Sequence, residues 1–399
     1  MINLEIPPRL ADFAAQAHQV AEHLLRPISR LYDRAEHSYP RELDDLADLI
    51  DAVAASSLSD ERDGVGRDAT PEGSRNGANL ASVLSITEMC WGDVGLLLSL
   101  PRRGLGNSAI AVVADAEQRR RLTGVWASMA ITEPEAGSDS AAIRTTAVRD
   151  GDEFVLNGEK IYVTAGERSD HVVVWATLDP SLGRAAIKPF VVAKGTPGLS
   201  VERLERKLGI RSSDTAALRF VDCRVPAANL LGSPEIDVRQ GFGAAMATFD
   251  NTRPVVAGMA VGCARAALAR TRELLAEGGV EVDWDRPARL QHAAAARLLQ
   301  LESDWEGARL LMLQAAWMAD NGRPNSLEAS MAKAKAGRVG TDVTLSCVEL
   351  CGTVGYAEAE LLEKWARDSK ILDIFEGTQQ IQQLIIARRV LGLTGAELT

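Results

Sequence analysis

Several common kinds of functional site find no support in this sequence. The five cysteines contain no CxxC pair, so neither a zinc site nor a disulfide framework is indicated. Cys347 and Cys351 stand one helical turn apart, and without a nearby pair of histidines they are best interpreted as buried apolar thiols. The histidines form no HxxE or HxxxH pattern, and no GxSxG elbow suggests a serine hydrolase triad. The sequence therefore predicts no metal site.

A cationic surface and long apolar runs are also lacking. The formal net charge is −11 at pH 7, whereas nucleic-acid binding needs a clustered cationic face. No apolar stretch approaches the roughly 18 residues that indicate a membrane-spanning helix. The N-terminal sequence shows no basic segment followed by an apolar run, which would indicate a signal peptide. We therefore expect a cytosolic protein that binds no nucleic acid and spans no membrane.

The composition that is present is that of an ordinary globular protein, with 46% hydrophobic and 25% charged residues. A chain of 399 residues exceeds one typical hydrophobic core, so two or three domains are expected. The periodicity changes from helical to strand-like and back to helical along the chain. We predict an N-terminal helical domain over 1–124, a β domain over 125–236 and a C-terminal helical bundle over 237–399.

In the first zone, apolar residues recur at helical spacing from Leu10 to Leu25. Pro27 is then expected to end or kink that helix, because proline lacks the backbone N–H that a helix interior uses. Residues 56–78 are rich in Ser, Asp, Gly and Arg, which is typical of a long polar loop. Further helices are predicted over 41–55, over 81–91 and after residue 108.

The second zone reads as short strands separated by turns. Asp150-Gly151 and Asn157-Gly158 are strong hairpin signals, because the favoured hairpin turns require positive φ angles. Strands this short predict an antiparallel sheet or barrel and give no support to a Rossmann domain. The predicted strands are 144–149, 153–156, 159–164, 171–178, 186–194 and 216–225.

The third zone returns to helical character. Residues 243–277 are dense in alanine and other small residues, which is typical of helices that pack closely in bundles. Thr378 is a plausible N-cap for the last helix, and Gly392 lies where that helix is expected to end. Two further helices are predicted over 288–319 and 327–350.

Two segments could carry chemistry. In the segment 131–139, the backbone amides of Gly137 and Ser138 and the hydroxyl of Thr132 can contact an anion. An ordinary loop between domains is the alternative, and the residues alone favour it. In the segment 373–380, Glu376 lies between an aromatic residue and a glycine just before a helix.

A carboxyl group flanked by apolar groups can have a raised pKa and serve as a general base. The alternative for Glu376 is a surface carboxylate favoured by the helix dipole. Without further context, the residues alone favour the surface carboxylate.

Four segments, taken in order, resemble the acyl-CoA dehydrogenases. The family's flavin loop resembles MAITEPEAGSD (129–139), and its strand beside the flavin resembles NGEKIYVTAG (157–166). Its substrate helix resembles ATFDNTRPVVAGMAVGCARAAL (247–268), and its catalytic segment resembles RDSKILDIFEGTQQIQQLIIAR (367–388). The resemblance covers nearly the whole chain. It implies an α+β fold with an N-terminal helical domain, a central antiparallel β-barrel-like domain and a C-terminal four-helix bundle.

The resemblance also implies a reaction, the FAD-dependent α,β-dehydrogenation of an acyl-CoA to the trans-2-enoyl-CoA in fatty acid β-oxidation. Glu376 would accept the α-proton while hydride passes to flavin N5. The backbone amide of Glu376, with a flavin ribityl hydroxyl, would bind the thioester oxygen as an oxyanion hole. Some members carry the glutamate on the substrate helix instead, where this chain has Thr252.

By the same resemblance, individual residues acquire expected roles. Tyr162 would cover one face of the flavin, although an aromatic in the β core is the alternative. Arg253 would contact the substrate, although a structural ion pair is an equal alternative. The expected FAD contacts are Met129, Ile131, Thr132, Gly137, Ser138, Tyr162, Thr164, Arg286, Glu349, Gly352, Thr353, Thr378 and Gln380. The expected substrate contacts are Ser138, Asp250, Thr252, Arg253, Phe375 and Gly377.

Three segments depart from the family pattern. The loop 277–291 lacks the Arg-x-x-Phe-Gly pattern that reaches the FAD pyrophosphate of a neighbouring subunit, and Arg286 and Trp284 are the candidate substitutes. Segment 349–353 begins with a glutamate where a glutamine is usual. The polar stretch 56–78 replaces a Tyr-Gly-Gly loop near the substrate mouth. These departures imply either weaker FAD binding or a flavin site that a related partner chain completes.

The expected partners are an acyl-CoA substrate and an electron-transfer flavoprotein as acceptor, in a homotetramer or dimer. Two other functions stay open at this point. One is a flavin oxidase or monooxygenase on the same fold, and retention of Glu376 disfavours the monooxygenase. The other is a weakly active subunit that depends on a partner in a hetero-oligomer.

Overall fold

The computed structural model describes residues 4–61, 77–236 and 243–393, and within them it leaves the side chains of 53–61 and 243–251 undescribed. No helix in these ranges is both long and apolar enough to cross a membrane. The helices of the N-terminal part are α1 (Pro8–Val20), α2 (Arg26–Arg34), α3 (Glu42–Glu61), α4 (Ala78–Gly92), α5 (Val94–Leu98), α6 (Leu105–Val113) and α7 (Ala116–Arg121).

Pro27 was expected to end or kink the first helix, and the helical chain does not end there. A π-helical turn over Ala21–Leu25 joins α1 directly to α2, and Pro27 occupies the first turn of α2. Proline has no backbone N–H to donate, so the regular α-helical hydrogen-bond pattern is interrupted here, and the π-helical turn lies directly before it. Helix α3 runs past the predicted end at residue 55, and the remainder of the predicted polar loop, residues 62–76, lies outside the described residues.

The β part is an open sheet in the strand order β1-β4-β2-β3-β7-β6, with β5 paired to β4. Its pairing is mixed, so the prediction of an antiparallel sheet is wrong for two pairs. Strand β1 and one residue of β2 run parallel to β4, whereas the other pairs are antiparallel. The parallel β1–β4 pair is possible because a long connection separates these strands in sequence. The strands are β1 (Ala127–Ala130), β2 (Thr146–Asp150), β3 (Glu153–Thr164), β4 (His171–Thr177), β5 (Ile187–Ala193), β6 (Leu199–Leu204) and β7 (Thr215–Pro226).

Only one of the two predicted hairpin turns is present. Gly151, with φ of 64°, lies in the turn between β2 and β3, as expected. Asn157-Gly158 instead lies inside β3, where the register with β7 shifts. A Cβ at Gly158 would lie 2.4 Å from the Thr145 Oγ1, so this glycine permits close approach of the chain rather than reversal. Asn157 Oδ1 accepts a 2.8 Å hydrogen bond from the Asp222 N–H, which holds the irregular region.

The C-terminal part is helical, and its core is built from small residues. A Cβ at Gly262 of the long helix α8 would lie 2.2 Å from the Thr87 carbonyl oxygen of α4, so glycine allows these two helices to touch. Cys347 is buried as predicted, whereas Cys351 is only partly buried. The helices are α8 (Gly243–Glu277), α9 (Ala293–Asp320), α10 (Ser326–Tyr356), α11 (Leu362–Ser369) and α12 (Gln379–Leu391).

A buried ionic cluster joins all three parts of the chain just before the segment 370–377. Lys364 on α11 donates a 2.6 Å hydrogen bond to Asp93 and also contacts Asp368, and all three side chains are fully buried. Ser29 on α2 donates to the same Asp93, and the Ile210 N–H of the β part donates to Asp368, each at 2.5 Å. Helix α11 is therefore fixed to the N-terminal helices and to the sheet, and it anchors the segment that follows it.

Candidate functional site

Glu376 lies in a tight turn between α11 and α12. A short 3-10 turn, Lys370–Asp373, follows α11, and then Glu376 and Gly377 both adopt positive φ angles, of 56° and 92°. A non-glycine residue in this region is strained, so surrounding contacts must hold it there. As predicted, Thr378 caps α12, since its hydroxyl accepts a 3.4 Å hydrogen bond from the Ile381 N–H. The cap fixes where the helix begins and thereby where the turn ends.

The carboxyl group of Glu376 points to helix α8. Thr252 Oγ1 donates a 2.6 Å hydrogen bond to Glu376 Oε2, so the structure brings together two residues predicted from separate segments. Burial raises the pKa of Glu376, and the Thr252 hydrogen bond and the charges of Arg253 and Lys333 only partly offset that effect. The alternative of a surface carboxylate is therefore wrong. Glu376 as a whole residue is partly buried, and its carboxyl end is enclosed. A carboxyl group with a raised pKa is suited to accept a proton.

Two residues that sequence reasoning missed hold the carbonyl groups of this turn. Lys333 on α10 is fully buried, and its Nζ donates a 2.6 Å hydrogen bond to the Gly377 carbonyl oxygen. Gln382 Nε2 on α12 donates to the Glu376 and Gly377 carbonyls at 3.2 and 3.1 Å. The signal for Lys333 was present, because it shares the buried face of α10 with Ala329 and other small residues at helical spacing.

A buried ion pair between Lys160 and Glu133, which was not predicted from the sequence, holds the loop over residues 131–139. Lys160 Nζ on β3 donates to Glu133 Oε1 at 2.7 Å and to the Ile131 carbonyl at 3.0 Å. The backbone N–H groups of Arg144 and Thr145 donate to the Glu133 carboxylate at 2.6 and 2.9 Å. Burial alone would raise the pKa of Glu133, but the Lys160 charge and these donors hold it below its usual range. The loop is therefore fixed from inside by a charged pair and is not an arbitrary connection.

Tyr162 lies on β3, next to this loop, and its aromatic ring is exposed. It has φ of 58°, lies where the β3–β7 register shifts, and is 63% exposed, so the alternative of a core aromatic is wrong. The neighbouring Ile161 N–H donates a 2.9 Å hydrogen bond to the Thr132 carbonyl, which ties β3 to the loop. The bulge turns the ring outward and places it beside the segment that begins with Thr132.

The remaining predicted residues fall into two groups. Those of the loop and strand are partly buried (Met129, Ile131, Thr132, Thr164) or exposed (Gly137, Ser138). On the bundle side, Arg253 is 3% exposed and lies with Thr252 close to the Glu376 turn, whereas the side chain of Asp250 lies outside the described residues. Phe375 and Gly377 flank Glu376 and are partly buried, while Gln380 on α12 is exposed.

Four predicted cofactor contacts lie on the exposed surface of the helical part. Arg286 belongs to the irregular segment between α8 and α9 and is exposed. Glu349, Gly352 and Thr353 are also exposed, and α10 is interrupted at Gly352, whose φ is 55°. The polar groups of Arg286, Glu349 and Thr353 are therefore each open to a ligand or to another chain.

Removing the Thr252 hydroxyl tests its effect on the carboxyl group. A hydrogen bond to a charged group is worth about 1.5–3 kcal/mol, which corresponds to roughly one to two pKa units. We expect Thr252→Val to raise the pKa of Glu376 further, because the lost donor stabilised the ionised form. As pH is lowered, a reaction that needs ionised Glu376 would then begin to slow at a higher pH than in the wild type. The acid limb of the kcat/KM profile should therefore move to higher pH. Thr252→Ser keeps the donor and should keep the wild-type profile.

Family models match two parts of the chain. Residues 239–391 match the model described as acyl-CoA dehydrogenase, C-terminal domain, and residues 128–223 match acyl-CoA dehydrogenase, middle domain. Acryloyl-CoA reductase (NADH) of Anaerotignum propionicum is 33% identical over 385 residues, which cover 94% of this chain and 92% of that protein.

Solved structures resemble the chain over almost its whole length. Butyryl-CoA dehydrogenase from Megasphaera elsdenii superimposes with a TM-score of 0.84 at 29% identity, covering 98% of this chain and 100% of that chain. A chain from the structure of an electron transferring flavoprotein of Acidaminococcus fermentans gives a TM-score of 0.82 at 30% identity, with the same coverage. The helical and sheet content, including the curled open sheet, is common to these structures.

Proposed function

Since the chain belongs to the acyl-CoA dehydrogenase family, we propose that it oxidises an acyl-CoA thioester to the trans-2-enoyl-CoA with FAD, and that Glu376 accepts the α-proton. The observation that supports this role is the environment of the Glu376 carboxyl group. Its pKa is raised by burial, its position is fixed by a strained turn, and Thr252 holds it at 2.6 Å. A general base works best when its pKa lies near the working pH.

The residues around Glu376 divide the work of proton removal. The carboxylate takes the proton, and the hydroxyl of Thr252 keeps one oxygen of that carboxylate in place. The backbone N–H of Glu376 supports the thioester oxygen as negative charge develops there, in the manner of an oxyanion hole. Arg253 and Lys333 contribute positive charge close by, which favours the ionised form of the base at rest. FAD, when bound, supplies the acceptor for the hydride that leaves the β-carbon.

The residues of the loop and of β3 fit a flat cofactor such as FAD. The exposed ring of Tyr162 offers a flat aromatic face against which a ring system can stack. Thr132 and Thr164 offer hydroxyl groups, and exposed Gly137 and Ser138 offer backbone amides for an anionic group. Met129 and Ile131 provide apolar surface at the same loop, while Thr378 and Gln380 provide polar groups at the start of α12.

We further infer that a second copy of the chain completes the flavin site. Arg286, Glu349 and Thr353 carry the polar groups expected to meet an FAD phosphate or adenine, and each of them is exposed in the single chain. A homotetramer or dimer would place them against the flavin of a neighbouring subunit. The electron acceptor in this proposal is an electron-transfer flavoprotein, and Ser138, Asp250, Thr252, Arg253, Phe375 and Gly377 contact the acyl-CoA.

The proposal is tested on the purified, FAD-loaded protein. We expect a flavin absorption spectrum, and anaerobic titration with a panel of acyl-CoAs should bleach it for at least one acyl group. Bleaching measures transfer of hydride from substrate without any external acceptor. A flavin-loaded protein that no acyl-CoA of the panel bleaches would contradict the proposed oxidation. Rapid reoxidation of the bleached flavin by oxygen would instead favour the flavin oxidase.

A second candidate function, a subunit that depends on a related partner chain, is favoured by the loop 277–291 and by Glu349. A carboxylate at position 349 repels a phosphate, so a homo-oligomer is expected to hold FAD poorly at that point. Replacing Glu349 by glutamine in the purified protein distinguishes the partner-dependent subunit from the self-sufficient homo-oligomer. Tighter FAD binding in Glu349→Gln supports the dependent subunit, and unchanged binding supports the self-sufficient oligomer.

A further inference from the structure

We propose that Lys333 is a positioning residue for Glu376: together with Gln382 it holds both carbonyl groups of the strained Glu376–Gly377 turn and places a positive charge beside the base. This inference rests on the proposed function for its catalytic meaning. The inference goes beyond the proposed function, because it assigns a positioning role to Lys333, a buried side chain that touches neither substrate nor flavin in the proposed mechanism.

The contacts around the turn leave little freedom to the chain. Lys333 Nζ lies 2.6 Å from the Gly377 carbonyl, and Gln382 Nε2 reaches the Glu376 and Gly377 carbonyls at 3.2 and 3.1 Å. A Cβ added at Gly377 would lie 2.4 Å from Gln382 Nε2, so the amide is pressed against the turn. Two consecutive residues with positive φ are costly unless their peptide groups are held from outside. These two donors supply that restraint from helices α10 and α12.

Burial of Lys333 indicates that its ammonium group has a specific role. The side chain has no exposed surface, and a buried cation is expensive unless it is paired. Burial lowers the pKa of Lys333 to about 8, although the negative charges of Asp373 and Glu376 act in the opposite direction and Arg253 on α8 adds to the lowering. The ammonium form therefore still prevails at neutral pH. Asp373, which also pairs with Lys370 at 2.9 Å, acts most strongly on the Lys333 charge, and Glu376 is the second carboxyl group whose charge acts on it.

The charge of Lys333 has a predictable effect on the base. A nearby cation favours an ionised carboxyl group, so Lys333 lowers the pKa of Glu376 against the effect of burial. Without that cation, Glu376 would hold its proton to a higher pH. Lys333 thus links the geometry of the turn to the pH range in which the base is ionised.

The test uses the FAD-loaded protein and the variants Lys333→Met, Lys333→Arg and Gln382→Leu. Misplacement of a reacting group by about 1 Å costs roughly a hundredfold in rate, so we expect Lys333→Met to slow flavin bleaching by about tenfold to a hundredfold, with acyl-CoA binding little changed. Lys333→Arg keeps a charged donor and should recover part of that rate. Gln382→Leu should slow bleaching without displacing the titration of Glu376, because it removes a donor but no charge.

The infrared band of the Glu376 carboxyl group gives a readout that does not depend on turnover. It is assigned as the carboxyl band that is absent in Glu376→Gln. In Lys333→Met this band should titrate at higher pH than in the wild type. Lys335→Met is the matched control, since Lys335 lies on the same helix but is partly exposed and pairs with Asp304 at 3.3 Å. An unshifted band in Lys333→Met would overturn the charge effect. If Gln382→Leu bleached at the wild-type rate, the proposal that Lys333 and Gln382 hold the Glu376–Gly377 turn in place would be overturned. This test stands even if Lys333→Met fails to fold.

The two proposals fail in distinguishable ways. If no acyl-CoA bleaches the wild-type flavin, the proposed oxidation is wrong, yet the infrared titration still decides whether Lys333 acts on Glu376. If bleaching occurs and Lys333→Met matches Lys335→Met in rate and in titration, the oxidation stands and the role of Lys333 is refuted.

Discussion

Replacing Glu376 by glutamine is expected to slow flavin bleaching by acyl-CoA by at least about 10²–10⁴-fold, the usual loss when a general base is removed. Glutamine keeps the size of the side chain and can still accept from Thr252 Oγ1, which lies 2.6 Å from the carboxylate. Packing of the turn should therefore be preserved, and the acyl-CoA should still bind. The measurement is single-turnover bleaching under anaerobic conditions, together with the Kd of the acyl-CoA for each protein.

The same substitution should increase stability. The pKa of Glu376 is raised above its ordinary value of 4.5 in the folded protein, so the folded state binds more protons than the unfolded state in the window above that value. Stability therefore falls as pH rises through this window, and above the folded pKa the wild type bears the full cost of an ionised carboxylate in this site. Glu376→Gln removes this cost, so its unfolding temperature at neutral pH should exceed that of the wild type. The difference should shrink toward acid pH.

Glu302→Gln provides the matched control. Burial raises the pKa of Glu302 as well, but this carboxylate lies on α9 and pairs with Arg272, away from the Glu376 turn. Its substitution should leave bleaching unchanged. Bleaching by Glu376→Gln at a rate close to the wild type would show that some other group removes the proton.

Replacing Lys160 by methionine is expected to have the largest effect on folding and on the flavin loop. Breaking a buried ion pair by removing one partner typically costs about 3–5 kcal/mol. Lys160 is fully buried and donates to Glu133 at 2.7 Å, so the variant leaves a buried carboxylate with fewer donors. The loop carbonyl of Ile131 also loses its donor at 3.0 Å. We expect a lower free energy of unfolding in denaturant and weaker retention of FAD.

A double-mutant cycle separates the charge from the packing. The variant with Lys160→Met and Glu133→Gln has no unpaired charge, and its one amide oxygen can still accept from the backbone N–H of Arg144 or of Thr145. It should recover much of the stability that Lys160→Met loses. Equal losses in the single and double variants would show that the Glu133 charge is not the cause.

The pH dependence has a definite sign. The pKa of Glu133 lies below its ordinary value of 4.5 in the folded protein, so its contribution to stability is present above that value and is lost as pH falls through the folded pKa. Lys160→Met raises the pKa of Glu133 by removing the nearby cation. The stability gap between the variant and the wild type should therefore be widest at neutral pH and should narrow in acid.

Local signals were enough to predict most helices and several strands. Thr378 caps α12 and Gly392, with φ of 68°, ends it, because a hydroxyl at the N-cap and a glycine at the C-terminus act within one turn of the chain. The strands β4, β5 and β7 also lie where their apolar runs predicted them. The short strands β1 and β6 were missed, since they carry little pattern of their own.

Local signals were misleading where a residue served a distant contact. Gly158 was interpreted as a turn residue, yet it leaves room for Thr145, whose Cα would lie 2.8 Å from an added Cβ. Pro27 was interpreted as a helix end or kink, yet helix α2 runs on through it after a π-helical turn. In both places the amino acid tolerates two backbone arrangements, and packing selected one of them.

By itself, the sequence determined the succession of helical, strand-rich and helical zones, because periodicity and caps are properties of neighbouring residues. Glu376 was singled out by the resemblance of four motifs to a known family, since the residues alone favoured a surface carboxylate. Only the tertiary structure decided what surrounds Glu376. Thr252 is 124 positions away and Lys333 donates to a carbonyl 44 positions away, so their meeting depends on how α8 and α10 pack. Burial at that meeting point changes the pKa of Glu376, and burial is set by the whole fold rather than by any segment.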